Sequence, residues 1–165
     1  MIRYAEVVKP EDNEKKAGQA KLSFLGNTDG TTTQMVPLAT PMAGDKGGLF
    51  VMPEVGDTVV VGFVNGDASQ PVILGAIWKG DQTPPAEAET ERRFVSRTGH
   101  ALTLSDGDDD GIIIEDTHAN KIIMNADGIT IETSGDLKII VGGATTFETK
   151  GEATHKASTI KLNPE

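Results

Sequence analysis

Chemically competent side chains are few in this chain of 165 residues: three histidines, at positions 100, 118 and 155, and one run of aspartates. The run is Asp106-Gly107-Asp108-Asp109-Asp110-Gly111. Asp106, Asp108, Asp110 and Gly111 fit the first half of an EF-hand calcium loop, whose side-chain oxygens alternate along the backbone. The twelfth position of such a loop is a bidentate glutamate, and here it is Thr117. Flanking helical periodicity is missing as well, so the run reads as a solvated turn between Leu104 and Ile112. His100 and His118 belong to no base–nucleophile–orienter set, and neither Ser96 nor Ser105 sits in a nucleophile elbow. With no cysteine there is no thiol nucleophile, disulfide framework or Cys-bound zinc. These residues predict neither an enzyme nor a bound cofactor.

The elements that would position any site are strands. Helical periodicity is confined to Pro84–Phe94 (PPAEAETERRF), which is polar almost all round and reads as a connector. That gives three parts: 1–83, a linker at 84–96, and 97–165. In the first part Asp57–Asn65 (DTVVVGFVN) and Gln70–Trp78 (QPVILGAIW) are the strongest strands, joined by the turn chemistry of Asn65-Gly66-Asp67. Five or six antiparallel strands without a core helix predict an OB-like barrel. Its core is expected from Val59, Val61, Phe63, Val72, Leu74 and Trp78.

The third part follows a different rule. Leu102/Leu104, Ile112/Ile114, Ile122/Met124, Ile129/Ile131, Leu137/Ile139 and Ile160/Leu162 alternate with period two at short intervals. Gly135, Gly143 and Gly151 mark an eight-residue repeat that aligns Leu137/Ile139/Val141 with Thr145/Phe147/Thr149 and Ala153/His155/Ala157. Residues 97–165 hold a single aromatic, Phe147. Short strands with one narrow apolar face cannot bury that face alone. Three copies about a threefold axis can, and they also pair the open strand edges. The expected fold is all-β: an OB-like antiparallel barrel followed by an intertwined trimeric β-helix or β-prism, with a single-chain β-helix as the alternative. In the repeat frame His155 takes the slot of Ile139 and Phe147. Three imidazoles would then converge on the axis, where they suit a metal or an anion. The chain end, from Ile160 to Glu165, follows an apolar pair and is stopped by Pro164. Three such ends make a blunt platform of open edges, at Ile160, Leu162, Asn163 and Pro164, that calls for a cover.

One long motif resembles a known family. Pro53-Glu54-Val55-Gly56-Asp57-Thr58-Val59-Val60-Val61-Gly62-Phe63, then Asn65-Gly66-Asp67 and Gln70-Pro71-Val72-Ile73-Leu74-Gly75-Ala76-Ile77-Trp78, is similar to the OB domain of contractile-tail central spikes, the phage baseplate assembly protein V family and the matching part of VgrG proteins. Ser96-Arg97-Thr98-Gly99-His100-Ala101-Leu102-Thr103-Leu104 resembles the segment that opens the spike's β-helix. The resemblance runs from about residue 2 to 162. It implies a homotrimeric, non-enzymatic needle at the baseplate tip of a contractile particle, assembled in the cytoplasm and driven through the target cell envelope. The sequence departs from full VgrG proteins in lacking their large hub domains, which implies a separate hub protein at the N-terminal side. It implies a conical PAAR-like protein capping the far end. Some spikes of this family hold iron through a His-x-His pair; His155 lies between Thr154 and Lys156, and that pair is absent.

Charge weighs the remaining options. The chain carries 15 Lys+Arg against 25 Asp+Glu, a net −10, and residues 1–96 hold 9 basic and 13 acidic residues. With seven aromatics in all, this excludes a nucleic-acid-binding OB face, which needs cations and stacking platforms. An oligosaccharide-binding OB module trimerised by a prism stalk is the alternative reading. A lysozyme-like enzyme needs two carboxylates across a cleft, and no helical lobe is present to build one. The N-terminus has no signal-peptide core.

Overall fold

The computed structural model describes residues 1–10, 17–86, 88–108 and 110–161. Its contacts divide the chain into two units, Met1–Ala88 and Glu89–Glu165. Among the described residues the regular structure is β, apart from one 3-10 turn at Val64–Gly66, and no helix is long and apolar enough to cross a membrane.

The first unit contains β1 (Ile2–Val8), β2 (Gln19–Phe24), β3 (Val36–Pro37), the small hairpin β4 (Ala43–Gly44) and β5 (Gly47–Gly48), β6 (Thr58–Phe63) and β7 (Pro71–Ile77). The main sheet runs β3-β2-β1-β6-β7. Just beyond β3, Leu38 bridges to Ile73 in parallel, and the Ala39 N–H donates to the Ile73 carbonyl at 2.8 Å. That contact joins the two ends of the sheet. The strands then follow one another around a barrel as β1-β2-β3-β7-β6 and back to β1, the five-stranded Greek-key circuit of an OB fold.

The interior is filled by small and branched side chains. Ala5, Val7, Ala20, Leu22, Val36, Val59, Val61 and Ile73 are buried, with Phe24, Leu38, Met52 and Phe63 packed against them. A barrel this narrow has little room for aromatics, which is why so few suffice. Phe24 and Phe63 stack at one side with ring centres 5.9 Å apart, and the Arg3 guanidinium lies 4.2 Å over the Phe24 ring, a cation–π contact.

Two turns of the family-like motif have clear local causes. Gly56 adopts φ +94, a left-handed conformation that favours glycine, while the Asp57 carboxylate accepts from the Glu54 N–H at 2.8 Å. Asn65 and Gly66 both have positive φ, and the hairpin they turn pairs β6 with β7 as the sequence suggests. Asp67 accepts from the Ser69 N–H, and this bond holds its carboxyl below the usual range.

Of the expected core residues, Val59 and Val61 are buried and Phe63 packs against the core. Val72 is half-buried, whereas Leu74 and Trp78 are exposed in this unit, and the β7 side chain at the barrel centre is Ile73. For Leu74 the cause is a bulge. Val60 pairs with Gly75, but Val61 pairs with Ile73, so Leu74 drops out of the ladder. A one-residue slip exchanges the two faces of a strand, and the alternation that points Val72 and Leu74 inward is reversed. Leu74 folds over Gly62, where an added Cβ would lie 3.0 Å from its Cδ1. Accordingly, Ile73→Ala should cost about 3 kcal/mol in denaturant unfolding of the whole chain. Leu74→Ala should cost under about 1 kcal/mol. Equal losses would place the bulge elsewhere.

The second unit is a meander: β8 (Glu91–Val95), β9 (Ala101–Ser105), β10 (Gly111–Glu115), β11 (Lys121–Asn125) and β12 (Gly128–Glu132), each antiparallel to its predecessor. β8 lies inside the segment expected as a connector. Its alternation (Glu91, Arg92, Arg93, Phe94, Val95) is masked in sequence by three charged residues. Residues 133–161 contain no strand and are all exposed.

Candidate oligomerisation face

The ladder of the meander sorts its side chains into rows. Phe94, Leu102, Ile114, Ile122 and Ile131 oppose one another across all five strands. A second row on the same face runs Leu104, Ile112, Met124 and Ile129, ending at Arg92. Nine apolar side chains therefore share one face, and that face is open. Phe94 and Ile131 are each 58% exposed. Leu137, from the strandless segment, joins the first row along a groove of about 670 Å³.

The other face is mixed, with Val95, Ala101, Ile113 and Ile123 beside Arg93, Thr103, Glu115 and Lys121, and it is better covered. Arg93 Nε donates to Thr103 Oγ1 at 3.1 Å, and its guanidinium pairs with Glu115 at 3.6 Å. Glu115 also takes Lys121 Nζ at 3.2 Å. With this network across it, Thr103 is only 7% exposed. Full burial of a Leu, Ile or Phe side chain contributes roughly 1.5–3 kcal/mol. Nine half-exposed ones represent a driving force on the order of 10 kcal/mol per chain for covering this face.

The turns at one end of the sheet are tightly built. Asp116 accepts from the His118 N–H at 2.8 Å, the Asn120 N–H at 3.0 Å and Asn120 Nδ2 at 2.7 Å. Those bonds, led by the Asn120 side chain, hold its carboxyl at about 2 against an ordinary 3.8. The strand exit is strapped to the same turn. Thr133 Oγ1 donates to Asn120 Oδ1 at 2.6 Å, and Ser134 Oγ donates to the His118 carbonyl at 2.9 Å.

The aspartate run forms the β9–β10 turn. The Asp106 carboxylate pairs with Arg92, and an added Cβ at Gly111 would come within 2.4 Å of the Met124 carbonyl oxygen. Packing against β11, not metal ligation, explains that glycine. Asp109 lies outside the described residues. His155 and Ile160 are exposed in the strandless segment, while Leu162, Asn163 and Pro164 lie outside the described residues. Among the described residues no three His, Asp or Glu side chains are grouped to hold a metal.

Two juxtapositions escape sequence reasoning. Phe94 completes the first apolar row, and His100 meets His118 with ring centres 6.2 Å apart. The signal for the second is positional: each histidine stands just beyond the paired ends of β9 and β10. The octad repeat leaves one trace in the protomer. The Gly135 N–H donates to Thr133 Oγ1 at 3.1 Å, and Gly151 N–H repeats the bond to Thr149 Oγ1 at 3.2 Å.

Comparison with known proteins gives these two units names. Residues 3–78 match the type VI secretion system/phage-baseplate injector OB domain, and residues 93–164 match the phage baseplate V C-terminal trimerisation domain. The chain belongs to the VgrG-like spike and phage-baseplate family. Among similar proteins, the type VI secretion system spike protein VgrG5 of Pseudomonas aeruginosa is 31% identical over 86 residues, covering 49% of this chain and 11% of that protein. The spike protein VgrG3 of Vibrio cholerae serotype O1 is 32% identical over 102 residues, 57% of this chain and 10% of that protein. The actin cross-linking toxin VgrG1 of Vibrio cholerae is 33% identical over 102 residues, 57% of this chain and 9% of that protein. The match thus spans about a tenth of each of these longer relatives, and the toxin of VgrG1's name belongs to that longer protein. The family's trimerisation domain contains the open apolar face, and its OB domain is the closed barrel.

Asp116 gives this region a pH signature. Because its folded value is depressed, its contribution is complete above about pH 4 and is lost as pH falls towards 2. Asp116→Asn should lower the thermal midpoint near neutral pH, with the gap to the parent protein closing between about pH 4 and pH 2. A gap that does not change with pH would show that the carboxylate does not cap the turn.

Proposed function

We propose that this chain is the structural, non-enzymatic central spike at the baseplate tip of a contractile tail or injection system. It acts as a homotrimer that is driven through the target cell envelope. The observation that carries this reading is the two-row apolar face on a domain of the trimerisation family. Three copies turned inward bury that face, and the exposed segment 133–161 then finds its strand partners on neighbouring chains. Continuous interchain hydrogen bonding and a dry axis give stiffness under axial load without large aromatics. The sheath supplies the force, so the spike needs no reacting group. The membership in a structural family and the lack of any triad or carboxylate pair in the sequence support that role.

On this reading the particle is a virion tail or an extracellular contractile device. A separate hub protein meets the N-terminal side, and a PAAR-like cap sits on the platform built from Ile160, Leu162, Asn163 and Pro164. His155 is the axial histidine, at the position for a metal or an anion.

Two experiments test it. The parent protein should run as a trimer by mass in solution and withstand heat and detergent. Ile122→Glu, at the middle of the first row, should give single chains, and a parent protein that is itself monomeric would end the spike reading. Deleting residues 160–165 should abolish binding of a PAAR-like cap but keep the trimer. Capping that survives the deletion would remove the platform.

A further inference from the structure

We infer that His100 and His118 form a two-imidazole site for a divalent transition metal, at the end of the meander where the β8–β9 and β10–β11 turns meet. The hairpin register, with Ala101 opposite Glu115, sets the residues beyond both strand ends side by side. The rings are 6.2 Å apart, centre to centre, and tilted by 48°. An imidazole nitrogen about 2.0–2.1 Å from a metal places its ring centre about 3.2 Å away. Two such rings lie roughly 5.2 Å apart around a tetrahedral ion and roughly 6.4 Å apart in the linear limit. The observed spacing falls inside that span.

The turns that carry the rings are held by other atoms. The His100 N–H donates to Ser96 Oγ at 3.0 Å, and the His118 N–H donates to Asp116 Oδ1 at 2.8 Å. Gly99 sits directly against Thr117: an added Cβ would lie 3.1 Å from its Cγ2. Both histidines are exposed, and their hydrogen bonds among the described residues use main-chain atoms. The hydrogen bonds that hold the two turns leave both rings out.

The surroundings favour a cation. Asp116, Glu132 and Asp136 wall the groove beside His100, where Lys121 is paired with Glu115, on a chain of net charge −10. Asp116 is committed to the turn, so it lowers the energy of a nearby cation through its field and does not ligate it. Imidazole donors suit zinc, copper and nickel, whereas calcium and magnesium require oxygen sets. Water completes the coordination. Each protomer carries this site whole, independent of any threefold axis and of His155.

The test titrates the purified full-length protein with Zn²⁺ and with Cu²⁺ near neutral pH. Calorimetry should give one ion per chain in this site, unchanged by His155→Ala. His100→Gln and His118→Gln should each weaken binding at least about tenfold, and the double variant should lose it. Bound Cu²⁺ should show electron paramagnetic coupling to two nitrogens in the parent protein and to one in each single variant. The copper spectrum of the parent protein is decisive even if a variant misfolds, because fewer than two coupled nitrogens overturns the site. Absence of saturable binding, or parent-like binding in a folded double variant, overturns it as well.

Discussion

A β-sheet with an apolar face must lay that face against something, and among the described residues of the second unit the two apolar rows stay open. The interstrand register gathers Phe94, Leu102, Ile114, Ile122 and Ile131 into one line and Leu104, Ile112, Met124 and Ile129 into another. The long polar side chains go to the reverse face, where Arg93, Glu115 and Lys121 bind one another. No rearrangement within a five-stranded meander covers both faces at once. Association is therefore built into the pairing pattern, and the family's trimerisation domain is the expression of that constraint.

The N-terminal unit solves the same problem in the opposite way. Its sheet curls until Leu38 reaches Ile73, and the interior closes around Val, Ala, Leu and Ile. A single chain thus combines a sheet closed on its own core with one whose apolar face is left open.

Much of this was readable from the residues. The Val55-Gly56-Asp57 turn, the Asn65-Gly66 hairpin and the period-two pairs after residue 100 all announce their structure through local chemistry. What was hidden depends on register. The bulge at Leu74 has no marker in its own strand, because Val72, Ile73 and Leu74 are all apolar and either parity looks acceptable. Phe94 was obscured by its charged neighbours, which proved to be the reverse face and edge of a strand. His100 and His118 are separated by a hairpin, and only the pairing of β9 with β10 makes them neighbours. The octad of residues 135–157 was visible as a pattern, and the protomer shows of it the recurring Thr–Gly bond.

The connectivity of the meander also bears on the order of events. Each of its pairings joins consecutive strands, whereas the barrel closes only when β7 returns to the end of β3. Local contacts form fast and distant ones slowly. The apolar sheet is consequently complete on each chain early, while barrel closure lags. Encounter between chains then competes with the last step of folding within each, and the rate at which spikes mature depends on how many copies are made together.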